Sequence, residues 1–379
     1  MKTSDIQKKA SGPGAGRPGR LYQSGDSAGA KGLGIDARRA SSLRSARFLA
    51  ILIFVGAAIA ALGGLVLMDP EGYGLGSAPG TGILQTAGTS ASAPAFSSLF
   101  GYRVVLDGQG LYRRDSVSAA AQERAQDLVT LVFGLPLLAA GFFLSGRDGR
   151  SGRGMSGDLG AYGGRLLLSG GLGYFMYCYG MMAVGTTYNE FFLLYVALFA
   201  MSLYGLVLSV YAIDADRLAS ICERRYPRRS AISLCVAVAL FLGLAWLGRI
   251  LQPLIAGDGA PGDIDAASTL FVQAFDLGIL VPAAALSAFW LIRRDPRGYI
   301  AGSVLLVKGA AEGLAVAAMG FNMLRVGVTE SLPMILCFLA LALCAIIIGA
   351  RAIASAGLGV GRQARMYDGT KLSTKKGSI

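Results

Sequence analysis

Lys308 and Glu312 stand one helical turn apart inside the apolar stretch Tyr299-IAGSVLLVKGAAEGLAVAAMG-Phe321, which is long enough to cross a bilayer. An ammonium and a carboxylate on one helix stripe can bind an anionic group, pass a proton, or neutralise each other. In hydrocarbon either charge alone is costly, so an intramembrane pair marks a functional or strictly structural site. The neighbouring stripe Gly309, Gly313 and Ala317 is small enough for close helix contact, which turns this face into a bundle.

Further polar residues fall at related depths. With about 1.5 Å of rise per residue, Asp276 and Glu312 each lie roughly 10 to 14 Å below the outer boundary of their segments, and Lys308 lies one turn deeper. Gln126 and Asp127 mark the outer end of the second apolar segment, and Asn189 and Glu190 that of the fourth. Tyr177, with Tyr174 and Tyr179, adds hydroxyls and aromatic faces from the third, where buried hydroxyls need partners. Asp276, Lys308, Glu312, Asp127, Gln126, Glu190, Asn189 and Tyr177 therefore form the candidate ion-relay or substrate-binding set. The alternative is a structural pair in which Lys308 meets Glu312 or Asp276 and fixes helix rotation.

The elements that position these residues follow from composition. With 54% apolar and 15% charged residues, the 379-residue chain has more apolar surface than one soluble core can hide. Eight segments approach the roughly 20 apolar residues that span a hydrocarbon core about 30 Å thick. They run near 46–68, 128–146, 165–185, 190–213, 230–250, 269–292, 299–321 and 332–352. Strand alternation is missing from all of them, and backbone groups in lipid must be satisfied within the segment, so the fold class is all-α and polytopic.

Basic residues set the orientation. In an eight-helix arrangement 28 of the 35 Lys and Arg residues fall on one side, which places both termini in the cytoplasm. The net charge of +12 is thus mainly a topology signal, and the aromatic platforms that nucleic-acid binding would need are not interleaved with it. Residues 1–45 read as a disordered basic arm, 46–68 as a retained signal anchor, 69–126 as an extracytoplasmic loop, 127–352 as the remaining seven helices and 353–379 as a cytoplasmic tail. Inside the loop, FGYRVVL, the turn Asp107-Gly-Gln-Gly110 and LYRR read as a short hairpin, followed by N-cap candidates from Asp115 to Ser118.

Segments two and six share an order of residues. Asp127-Leu, Pro136 and Arg147-Asp148-Gly-Arg150 run parallel to Asp276-Leu, Pro282 and Arg294-Asp295-Pro-Arg297, which suggests a parallel repeat of four helices plus four.

The chain has no histidine, which removes His-ligated haem, His-containing zinc sites and Ser-His-Asp hydrolysis. Five cysteines without paired spacing indicate neither a disulfide framework nor a zinc site, and no cofactor is implied. Asp69 and Glu71 sit where some lipid-linked glycosyltransferases carry a catalytic carboxylate. A small secondary transporter or ion-coupled permease explains the buried charges with the fewest additions. An assembly, sensor or scaffold protein and a lipid-active enzyme are the other two classes, and the expected partner in every case is the lipid bilayer.

The stretch YRRDSVSAAAQERAQDLVTLVFGLPLL, with GYFMYCY and TTYN beyond it, resembles a group of bacterial polytopic membrane proteins of no assigned function. The likeness covers roughly Tyr112 to Tyr211, with echoes in DLGILVP and VLLVKGAAEGLA. It implies a bacterial cytoplasmic membrane location and carries no activity, substrate or catalytic residue. The Gly-rich basic arm before Arg47 departs from that group.

Overall fold

The computed structural model describes residues 24–66, 94–146, 160–257, 261, 264–328 and 330–357. Eight of its helices contain stretches of 20 to 33 residues that are long and apolar enough to cross a membrane. They are α1 (Ser24–Val66), α2 (Val117–Ser145), α3 (Gly160–Gly185), α4 (Phe192–Tyr211), α6 (Arg228–Ala256), α7 (Phe271–Ile292), α8 (Pro296–Arg325) and α9 (Leu332–Gly357). A short helix, α5 (Ala215–Cys222), joins α4 to α6. The chain is a polytopic, all-α integral membrane protein.

α1 begins at Ser24, about six turns before residue 46, where the apolar stretch begins in the sequence. The rest of the arm, the tail beyond Gly357, and Asp69 and Glu71 lie outside the described residues.

α3 and α8 pack against each other at the centre, with α2 and α4 gathered on α3, α1 lying against α2 and α4, and α7 and α9 on α8. Small residues allow that approach. A Cβ at Gly170 would run into the Val307 side chain, whereas one at Gly173 would lie 3.8 Å from the Lys308 stem, an ordinary contact. One buried core joins α1 to α4 through Ile53, Leu138, Leu172, Phe175 and Leu198. A second joins α3 to the other half through Leu166, Leu218, Leu291, Leu306 and Ala352. Facing outward are large apolar side chains such as Phe48, Val55, Phe143, Leu193, Leu244 and Ile347, as lipid contact requires.

α2 and α3 cross at backbone distance. An added Cβ at Gly141 would lie 2.6 Å from both Cα and N of Leu168, atoms that cannot rotate away. Gly141→Val is therefore expected to cost roughly 1–3 kcal/mol by overpacking, read as a lower thermal midpoint of the detergent-solubilised protein. An unchanged midpoint would mean that the two helices do not close on each other there.

Both α2 and α7 contain a π turn, at Thr130–Gly134 and at Asp276–Leu280. In each the next residue but one is a proline, Pro136 or Pro282. Proline has no N–H and crowds the carbonyl four residues back, so the helix widens to the i→i+5 bonds Leu135 N–H to Thr130 O and Val281 N–H to Asp276 O. This local recurrence is what the two segments share; a duplication of four helices plus four is not shown.

The loop preceding α2 pairs differently from the hairpin read in the sequence. β2 (Arg103–Val105) runs antiparallel to β1 (Ala95–Ser97), upstream of it, around a turn closed by Gly101 at φ +83°. The chain does turn back after Val105, with Leu106 bridged antiparallel to Ser116 and Asp107 N–H donating to Asp115 O at 2.9 Å, but Gly110–Tyr112 forms a 3-10 turn and not a second strand. The reason is Tyr112, whose side chain is drawn fully into the bundle and cannot lie on a surface strand. Ser116 then caps α2, accepting from Ala119 N–H at 3.0 Å. Arg124 grips Asp107 at 2.9 and 2.5 Å, and Ser116 donates to Asp265, so the loop is fastened to the helix ends on its face of the membrane. Ends on the opposite face carry Arg39 paired with Asp214, the α5 N-cap, and Asp295, which caps α8 by accepting from Arg297 N–H at 2.9 Å.

Candidate functional site

The π turn of α7 delivers the first component. An extra residue in a helical turn rotates the preceding part of the helix by about 100° relative to the part beyond it, and here it leaves Asp276 buried while Gly278 and Ile279 face outward. Tyr177 Oη donates to Asp276 Oδ1, and Trp246 Nε1 on α6 donates to Oδ2 at 2.7 Å. Both carboxylate oxygens are thus occupied by neutral donors from two other helices.

α8 delivers the second component. The Lys308 stem passes beside Gly173, and its ammonium sits 3.6 Å above the ring of Tyr177, one turn along α3. Lys308 Nζ is 3.7 Å from Glu312 Oε2, an ion pair too long for a hydrogen bond. Lys308 is 6% exposed, and Nζ has no hydrogen-bond partner among the described residues; nor has Glu312 Oε2. Asp276 and Glu312 lie within electrostatic range of each other. Tyr177 therefore connects the two halves, its hydroxyl on one acid and its π face under the cation, and Phe275 meets the same ring edge-on at 5.9 Å.

Asp276, Lys308, Glu312 and Tyr177 thus meet across α3, α7 and α8. Gln126 and Asp127 sit on the neighbouring wall rather than in that contact. Gln126 Nε2 donates to Tyr174 Oη at 2.5 Å, and the same hydroxyl is 3.1 Å from Thr130 Oγ1. Asp127 Oδ2 accepts from Tyr112 Oη at 2.7 Å. Burial pushes the Tyr112 hydroxyl well above its ordinary range, the nearby Asp127 carboxyl reinforcing it, so Tyr112 stays a donor. Asn189 caps its own turn, its Oδ1 accepting from Phe191 N–H at 2.9 Å, while its buried Nδ2 makes no well-formed hydrogen bond among the described residues. Glu190 is separate from the cluster: it pairs with Arg113 at the loop face, half-exposed, and that hydrogen bond holds its carboxyl below the usual range.

Trp246 is the component that sequence reading passed over. It is one of only two tryptophans, and an indole N–H inside a membrane segment must find an acceptor; that requirement was the available signal. Tyr112, Tyr195 and Glu123 were missed for another reason, because their burial depends on how the loop folds back. At the rim on the loop face Asp115 accepts from Thr187 N–H at 2.8 Å, and burial pushes its carboxyl up to about 6.

Among the described residues no three His, Cys, Asp or Glu side chains come together as metal ligands. The cluster offers acid–base and ion-binding capacity: one ammonium with unused N–H donors, one acid saturated by neutral donors and one acid with a free oxygen. The chain matches no family model, no curated protein and no solved structure.

Proposed function

We propose that the protein is a small ion-coupled permease of the bacterial cytoplasmic membrane, both termini cytoplasmic, in which Asp276, Tyr177, Lys308 and Glu312 form the ion-relay or substrate-binding site. One observation carries this reading: the buried pair leaves polar capacity unused. A purely structural ion pair compensates its desolvation with close hydrogen bonds to every charged atom. Here Lys308 Nζ and Glu312 Oε2 are each buried without one. An incoming proton, ion or polar substrate group supplies the missing partner. Asp276, with both oxygens occupied by Tyr177 and Trp246, orients the tyrosine that holds the cation.

Orientation rests on the basic face. Arg217, Arg224, Arg225, Arg228, Arg229, Arg293, Arg294 and Arg297 surround the α4–α6 and α7–α8 connections, the pattern that retains a loop in the cytoplasm.

A structural role for the same pair is the competing reading, favoured by the closure of both charged atoms from solvent. Proteoliposomes separate the two. Proton flux under an imposed pH gradient, measured with an entrapped pH-sensitive dye, is expected to fall by about 100-fold or more in Lys308→Ala and in Asp276→Asn, the range seen when an acid–base group is removed. Each variant is scored only after it elutes as the wild type does. Equal fluxes from all three proteins would remove the relay; loss of assembly without loss of flux per folded molecule would favour the structural role.

A further inference from the structure

A second buried carboxyl constellation occupies the wall between the loop face and the Lys308 site. Asp127 is 2% exposed and forms no ion pair among the described residues. The nearest guanidinium on its own helix, Arg124, is engaged by Asp107. Tyr112 Oη donates to Asp127 from the loop. On α1, Gly64 leaves room for both groups: an added Cβ would run into Asp127 Oδ2 and lie 2.7 Å from Tyr112 Oη.

Two more buried polar atoms border this point, Tyr195 Oη on α4 and Asn189 Nδ2, near enough to each other and to Tyr112 to interact but outside good hydrogen-bond geometry, both on residues at most 3% exposed. Tyr195 lies beside Tyr112 and Asn189. Toward the loop face Glu123, one turn earlier on α2, takes the Thr186 hydroxyl at 2.8 Å and lies within electrostatic range of Asp127 and of Asp115 at the rim. Toward the centre, the Cys178 thiol lies within range of Glu123, Asp127 and Glu312 and beside the Thr130 hydroxyl. Tyr174, bonded to Gln126 and Thr130, likewise lies within range of Glu312.

We infer that Asp127 is a second proton-binding site, loaded from the loop face through Glu123 and emptied toward Glu312 along the Thr130 and Tyr174 hydroxyls. The inference rests on the Lys308 cluster being a relay and adds its direction of supply. The chemistry is a hand-over of single protons. The Glu123 acid gives one to the Asp127 carboxylate; each hydroxyl takes one on its oxygen and releases its own; Glu312 ends protonated and no electrons move. The groups that face Asp127 are Tyr112 from the loop, Glu123 and the Asp107-bound Arg124 from α2, Tyr179 and Cys178 from α3, Tyr195 from α4 and Gly64 from α1; Arg124 is the fixed positive charge among them and takes no part in the exchange.

The test reads Asp127 directly and by flux. In infrared difference spectra of the solubilised protein titrated between about pH 4 and 9, a carboxylic C=O band is expected that disappears in Asp127→Asn and shifts in Tyr112→Phe, which removes its hydrogen-bond donor. In oriented proteoliposomes both variants are expected to slow proton entry from the loop face, Asp127→Asn by about tenfold or more, with the Lys308 site intact. Absence of any Asp127-dependent band, or entry at the wild-type rate in both variants, overturns the inference. If instead the band is present and Lys308→Ala conducts like wild type, the relay reading fails while Asp127 remains a proton-binding group. Tyr112→Phe, which leaves the carboxyl in place, keeps the test decisive should Asp127→Asn not assemble.

Discussion

Glu312→Gln is expected to destabilise the bundle by about 3–5 kcal/mol, whereas the double variant Lys308→Met/Glu312→Leu recovers most of that loss and still conducts no protons. The asymmetry arises from the group each change leaves behind. With Glu312 neutral, the Lys308 ammonium keeps as its direct contact the Tyr177 π face, which is worth about 2 kcal/mol when desolvated, while the Asp276 oxygens stay engaged by Tyr177 and Trp246. That is less than the cost of an uncompensated charge in this environment. Removing both charges together leaves no orphan, and apolar side chains of similar volume fit beside Gly173 and the aromatic wall.

The measurement is unfolding in mixed micelles for the wild type, both single variants and the double, analysed as a double-mutant cycle. Single variants within about 0.5 kcal/mol of wild type would mean that Lys308 and Glu312 are both neutral in the resting state. A double variant as unstable as Glu312→Gln would place the loss in packing. Because the double variant restores the fold and not the transfer of protons, it also separates assembly from activity more cleanly than either single change.

The parts of the architecture legible in the sequence were those governed by the bilayer. A span must be about 20 apolar residues long whatever it packs against, so the seven segments from 128–146 to 332–352 correspond to α2 to α4 and α6 to α9. The meeting of Asp276, Lys308 and Glu312 was readable from depth, because helix rise converts position in the chain to position across the membrane. Depth alone does not fix which neighbours share a wall. Asp127 and Asn189 lie at the expected end of the bundle yet border Tyr112 and Tyr195, because a loop tyrosine reaches inward past Gly64. Glu190 sits at the same end but turns outward to Arg113. The hairpin register was illegible for a related reason. Two or three strand residues carry little pattern, and the tertiary pull on Tyr112 outweighed the turn signal at Asp107–Gly110. The start of α1 was obscured by Gly, Ser and basic residues, whose low apolar content masks a helix that continues beyond the lipid.

Asp115 governs the second large effect, in the pH dependence of stability. Its carboxyl lies outside the membrane spans and is 2% exposed; burial raises it to about 6, the Thr187 N–H offsetting part of that rise, with Asp107 and Arg124 acting in opposite senses nearby. The ordinary value is about 3.9, so the folded state holds the proton more tightly than the unfolded one. Stability from this group is therefore fully present below about pH 4 and is lost as pH rises through about 6, a change of about 3 kcal/mol for a shift of that size. Asp115→Asn keeps an oxygen for Thr187 N–H and carries no charge at any pH. The variant should match wild type at about pH 4 and exceed it by about 3 kcal/mol at about pH 8, which flattens the difference curve outside that window. Other buried acids also tilt the wild-type curve, so the informative quantity is the difference between the two proteins. Parallel curves would show that Asp115 is solvated at the rim. A difference that opens across the stated window would show that ionising Asp115 loosens the contact between the start of α2 and the α3–α4 connection, the same contact that carries Thr186 to Glu123.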